Sequence, residues 1–158
     1  MSNYNRSKAV EYASIWWNKR NPNFFNFDKL GGDCTNFISQ CLFYGGNEMN
    51  FSKNGWFYSS LNSRSPAWTG VEEFYSFLIT NNSKKGAKGR LVTMDELEVG
   101  DVVQLNQKGI RYNHNLLVTS VGDFRSPKNI LVACHTNDAF NKRLSDYSYK
   151  SVRFIKIL

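Results

Sequence analysis

Cysteine and histidine are the scarce reactive residues of this 158-residue chain, with three of the first and two of the second. Cys34 directly follows Gly31-Gly32-Asp33 and opens "CTNFISQCLFY", a run with apolar residues at helical spacing. A thiol attacks as its thiolate, and the free amides and partial positive charge of a helix N-terminus favour that anion. A cysteine at this place is therefore expected to be a nucleophile of lowered pKa. Its own amide stays outside the helical ladder and can face a developing oxyanion, with Asp33 shaping the turn before it. Cys41 is the internal control: it lies seven residues on, flanked by Phe37, Ile38 and Leu42, and reads as core filling. In a helix the two thiols stand roughly 10 Å apart along the axis, beyond the limit of about 7 Å between α-carbons for a disulfide. Neither Cys-x2-Cys nor His-x3-His spacing occurs, so a zinc site built from Cys34, Cys134, His114 and His135 is poorly supported, and a cysteine nucleophile requires no metal or cofactor.

A cysteine nucleophile needs a base, and His114 and His135 are the two candidates. His114 opens "HNLLVTSV" and His135 closes "ILVACH", with "GDFRSPK" as the turn between, so the two runs are expected to pair as a hairpin. If Val121 faces Asn129, His114 falls opposite Thr136, or opposite His135 after a shift of one residue. Cross-strand neighbours have β-carbons about 5 Å apart, so the two imidazoles could meet.

These residues need elements to hold them. Ala9, Tyr12, Ala13 and Trp16 carry the helical period through residues 4–18, and Asn21-Pro22 breaks it. A second helix is predicted from 34 to 44, capped by Asp33, Thr35 or Asn36 and stopped by Gly45-Gly46. A third covers 70–79 through Val71, Phe74, Phe77 and Leu78. From Val92 onward the chain turns to short β-branched runs at 101–106, 111–121, 129–136 and 151–157, which read as strands. Helices first and strands second, with short connections, predict an α+β fold of N-terminal helices packed on an antiparallel sheet. The length and the 41% hydrophobic content suit one domain over residues 1–158. No window reaches the roughly 20 apolar residues of a membrane span, and the first 25 residues do not resemble a signal peptide. The formal charge of +7 implies attraction to polyanions. The basic tract "TNNSKKGAKGR" at 80–90 has no interleaved aromatic residue for base stacking, so it reads as a solvated loop and nucleic acid is disfavoured.

The segments "GGDCTNFISQCLFYGG", "PAWTGVEEFYSFL", "LEVGDVVQL", "NHNLLVTSV" and "ACHTND" together resemble the bacterial putative amidase domain family, a branch of the papain-like, NlpC-type cell-wall cysteine peptidases. The resemblance implies a papain-like fold with Cys34 as nucleophile, His114 as base and His135 as the residue that orients it. Asn137, two residues beyond His135, is an alternative orienter. Asp101 is another, brought near His114 if a hairpin turns at 106–109. Trp56, Trp68 and Tyr112 could line a groove for a glycan or stem peptide.

The function so implied is a cysteine-dependent amidase or endopeptidase that hydrolyses amide bonds of peptidoglycan. Its partners would be the bacterial cell wall and its anionic polymers. It would act outside the cell, as a domain of a longer exported protein or as a released, endolysin-like enzyme. Two other readings remain: a papain-like acyltransferase or protein deamidase acting as a toxin or effector, and a non-catalytic basic module for wall polymers or nucleic acid.

Overall fold

Asn5 begins the first helix by accepting the Lys8 amide on its side chain, and α1 (Arg6–Trp16) buries Ala9, Tyr12 and Ala13. The structure, a computed structural model, describes residues 3–158. Between α1 and the second helix the chain turns through Gly31 (φ +87°) and Gly32 (φ +96°), left-handed conformations open to glycine at little cost. This turn delivers Cys34 to the start of α2 (Cys34–Tyr44), whose first nine residues are all buried. Burial of these first nine residues fixes the helix N-terminus more firmly than a surface helix could.

A small hairpin of β1 (Tyr58–Ser60) and β2 (Ser63–Arg64) follows, then α3 (Pro66–Thr69) and α4 (Val71–Thr80). The remainder forms β3 (Gly89–Val92), β4 (Val102–Asn106), β5 (His114–Ser120), β6 (Leu131–Cys134), β7 (Ala139–Arg143) and β8 (Ser151–Ile157). They make one sheet in the order β3-β8-β4-β5-β6-β7, with every neighbouring pair antiparallel. The fold is thus α+β, with helices preceding an antiparallel sheet.

Strand side chains alternate between faces, and here both faces are covered. Val102, Leu117, Ala133 and Ile155 join the core shared with α1, α2 and α4. Val103, Leu105, Leu116, Val118, Val132 and Cys134 form a second core with Leu97, Ile130 and Leu144 from the connections. Apolar runs without strict alternation follow from this double burial.

The β5–β6 hairpin pairs Leu117 with Ala133 and Val118 with Val132, a register that, continued toward the start of β5, sets His114 opposite Thr136; nearer the turn it shifts by one, so that Ser120 faces Leu131 in place of the register that would pair Val121 with Asn129. The predicted strand 129–136 stops at Cys134 because Thr136 (φ +69°) and Asn137 (φ +55°) are left-handed and turn the chain into β7. β7 and β3 fall outside the predicted strands. The predicted 111–121 loses residues 111–113 to the loop after β4.

Candidate active site

The N-terminus of α2 meets the first turn of β5. The backbone amides of Asn115 and Thr35 are near enough to the Cys34 sulfur to favour its anion, and the Thr35 hydroxyl lies 3.8 Å away. The Asn115 side chain donates to Thr35 Oγ1 at 2.9 Å and accepts from Gln104 Nε2 at 2.7 Å. Gln104 in turn accepts Arg153 Nε at 2.8 Å, so one polar chain ties α2 to β5, β4 and β8. Among the described residues the amides of Cys34 and Asn36 make no hydrogen bond, as expected of a helix's first turn.

Cys34 is 8% exposed, and burial pushes its thiol up from the ordinary value. The lowered pKa expected from the sequence is therefore not found. Desolvation of the anion outweighs the amides and hydroxyl that favour it. Cys41 and Cys134 are fully buried and raised for the same first reason.

His114 is the first residue of β5 and 6% exposed. Its neighbour Asn115 points to α2, so the imidazole leaves on the other face, across from Leu105, with its centroid 6.2 Å from the Tyr147 ring. Burial, and secondarily the charge of Lys142, pushes it down to about 4 from 6.5. The ring is neutral at physiological pH and so can accept a proton. The Lys142 ammonium lies 4.4 Å from the Tyr147 ring centroid, and Tyr147 Oη lies 3.3 Å from Cys134 Sγ. No hydrogen bond joins Cys34 to the His114 ring. The thiol instead abuts the His114–Asn115 peptide.

His135 does not orient His114. Its Nδ1 lies 2.5 Å from Asp33 Oδ2, its Nε2 lies 2.8 Å from the Trp16 carbonyl, and its ring stacks on Phe37 at 3.9 Å. The register explains this: continued past Cys134 it sets His135 opposite Asn115, on the α2 face, while His114 points away from it. Asp33 is no side-chain cap either. Its carboxylate accepts the Phe27 amide at 2.8 Å and Asn36 Nδ2 at 3.0 Å, with Arg20 Nε at 3.7 Å. Asp33 thus anchors the turn that presents Cys34.

The other candidates lie elsewhere. Asn137 is exposed in the turn after β6. Asp101 is fully buried at the far end of β4 from His114, held by Arg6 Nη1 at 2.6 Å and the Ile157 amide at 3.0 Å. The β4–β5 hairpin runs antiparallel, so it pairs His114 with Leu105 and keeps Asp101 at the opposite edge. Trp56 and Trp68 are fully buried. Their indole N–H groups donate to Ser39 Oγ at 3.0 Å and Asn36 Oδ1 at 2.9 Å, and they pack the core behind α2 instead of lining a groove. Tyr112 is half-buried under the Arg153 guanidinium at 3.9 Å, which is covered on its other side by Tyr75.

Asn115, Tyr147 and Lys142 were not singled out by the sequence. The alternation in "HNLLV" could have assigned Asn115 to the α2 face, but nothing local in "NKRLSDY" signals contact with His114. Among the described residues no group of three or more His, Cys, Asp or Glu is placed to hold a metal ion, and no helix is long and apolar enough to cross a membrane.

A family model described as "Putative amidase domain" matches residues 3–158. The chain is 38% identical over 152 residues to the uncharacterized protein YhbB of Bacillus subtilis strain 168, a match that covers 93% of this chain and 45% of YhbB. The chain therefore spans less than half the length of that relative. No solved structure matches it.

Proposed function

From the premise that this chain belongs to the putative amidase domain family, whose description points to hydrolysis of amide bonds, we propose that it is a cysteine amidase or endopeptidase of the papain-like, NlpC type, acting on peptidoglycan. The observation that carries the reading is the Cys34 thiol, held at a helix N-terminus against the peptide that joins His114 to Asn115. Both groups start neutral, the thiol raised and the imidazole lowered by burial. Catalysis then follows the base-assisted route, without a standing thiolate–imidazolium pair.

Cys34 Sγ attacks the amide carbon while His114 takes its proton, directly after rotation of the ring or through one water. In this reading the Cys34 amide, free of the helical ladder, holds the oxyanion together with a neighbouring donor. Collapse expels the amine, which leaves with the proton from His114, and a thioester remains on Cys34. Water then attacks the thioester carbon and gives a proton to His114. The acid departs and the proton returns to the thiolate.

The net charge of +7 supports contact with an anionic wall outside the cell, as a domain of an exported protein or a released lysin. Digestion of purified Gram-positive walls tests the proposal. New amino groups without new reducing sugar ends are expected, insensitive to EDTA and absent in Cys34→Ala. Mass spectrometry of the fragments identifies the bond. Reducing ends without amines would refute the reaction class, and no release from walls of several compositions would refute the substrate.

A further inference from the structure

The C-terminal end of α2 carries a second feature of chemical interest. Residues 46–48, just after the helix, and residues 84–88, between α4 and β3, line a groove of about 640 Å³. Its walls hold Lys84, Lys85 and Lys88 against a single acidic side chain, Glu48, with Asn3, Asn47, Gly46, Gly86 and Leu158 completing it. None of the three lysines has an ion-pair partner among the described residues.

The tract is a loop with Lys84 and Lys85 exposed, as the sequence suggested, but its backbone is held in place. The Lys85 carbonyl accepts from Asn50 Nδ2 at 3.1 Å, Asn81 Nδ2 at 3.0 Å and Ser83 Oγ at 2.8 Å. Asn81 also donates to the Ala87 carbonyl at 3.0 Å, and Asn50 is itself buried. The backbone that bears the lysines is thus set before any ligand arrives, so little ordering cost falls on binding. Like charges kept together in one groove repel, and a bound polyanion relieves that repulsion.

We propose that this groove binds a phosphodiester-linked polyol polymer. Lysine ammonium groups act as point charges toward phosphate oxygens, and three along one groove match an anion repeated along a flexible chain. The lining has no aromatic residue to stack a base and no arginine fork, which argues against nucleic acid. The site sits at the opposite end of an eleven-residue helix from Cys34, about 16 Å along its axis. It does not depend on the chemistry assigned to that thiol.

Binding of poly(glycerol phosphate) to the whole chain, followed by calorimetry at low and moderate salt, tests the inference. The triple variant Lys84→Gln/Lys85→Gln/Lys88→Gln should bind roughly tenfold or more weakly with a shallower salt dependence, since three charge contacts are lost. The matched variant Lys108→Gln/Lys128→Gln/Lys150→Gln, which removes exposed charge elsewhere, should change affinity by less than about twofold. Lys88 is half-buried, so single Lys84→Gln and Lys85→Gln variants guard against a misfolded triple. Equal losses in the two triples would reduce the effect to overall charge and overturn the site. Tighter binding of a thymidine oligonucleotide than of the polyol phosphate would overturn the ligand class. Because no turnover enters the measurement, failure here leaves the amidase reading standing, and failure of wall hydrolysis leaves this one.

Discussion

Burying His114 as a neutral base has a cost that can be measured as stability. Its value falls from 6.5 to about 4 on folding, so between those limits the unfolded chain binds a proton that the folded chain does not. Stability therefore rises with pH across this window and is lost as pH falls through it. At pH 5 the two values give about 2 kcal/mol lost relative to pH 7, approaching about 3 kcal/mol below pH 4. With 6% exposure the ring has little solvent to screen this effect. Urea unfolding at pH 7 and pH 5, at fixed ionic strength, should show the wild type losing about 2 kcal/mol more than His114→Gln or His114→Leu. Most carboxylates stay ionised at pH 5, so the difference isolates the histidine. Parallel losses in wild type and both variants would show that the ring is not held neutral, and the base-assisted mechanism would lose its basis. In kinetics the same shift should put the acid limb of kcat/KM near pH 4.

Lys142→Met should move that acid limb upward, because Lys142 is the secondary cause of the depression and burial, the primary one, remains. An unchanged limb would remove Lys142 from the site. Cys34→Ala should abolish turnover, with a thermal midpoint within a few degrees of wild type, since a small side chain at a helix end is lost. In the wild type, iodoacetamide should alkylate Cys34 slowly at neutral pH and faster as pH rises, ahead of the fully buried Cys41 and Cys134. Rapid modification at pH 7 would contradict the raised thiol. His135→Ala strips a partner from buried Asp33 and should cost about 3 kcal/mol, read by denaturant midpoint. Its turnover per folded molecule should fall through loosening of the Cys34 turn, with no shift of the pH limb. A shift would restore His135 as the orienter of His114.

Local chemistry made much of this protein readable from sequence. Gly31-Gly32-Asp33 before an apolar helical run located Cys34 at the start of α2, because a left-handed turn and a helical period are both short-range signals. Strand alternation and turn length located the hairpin but left His114 opposite either Thr136 or His135, and the pairing of Leu117 with Ala133 in the folded sheet selects the first. Tertiary packing decided the rest. Whether the thiol's pKa falls or rises depends on how much protein surrounds the start of α2, and burial of that end of the helix reverses the expectation from its N-terminus. The face a histidine takes depends on which layer lies beyond each side of the sheet. With both faces buried, the apolar pattern that marks the inner side disappears, and His135 went to Asp33 and Trp16 while His114 went to Tyr147. Partners 102 and 119 residues away leave no trace in the residues around His135, so only the folded chain could assign that ring.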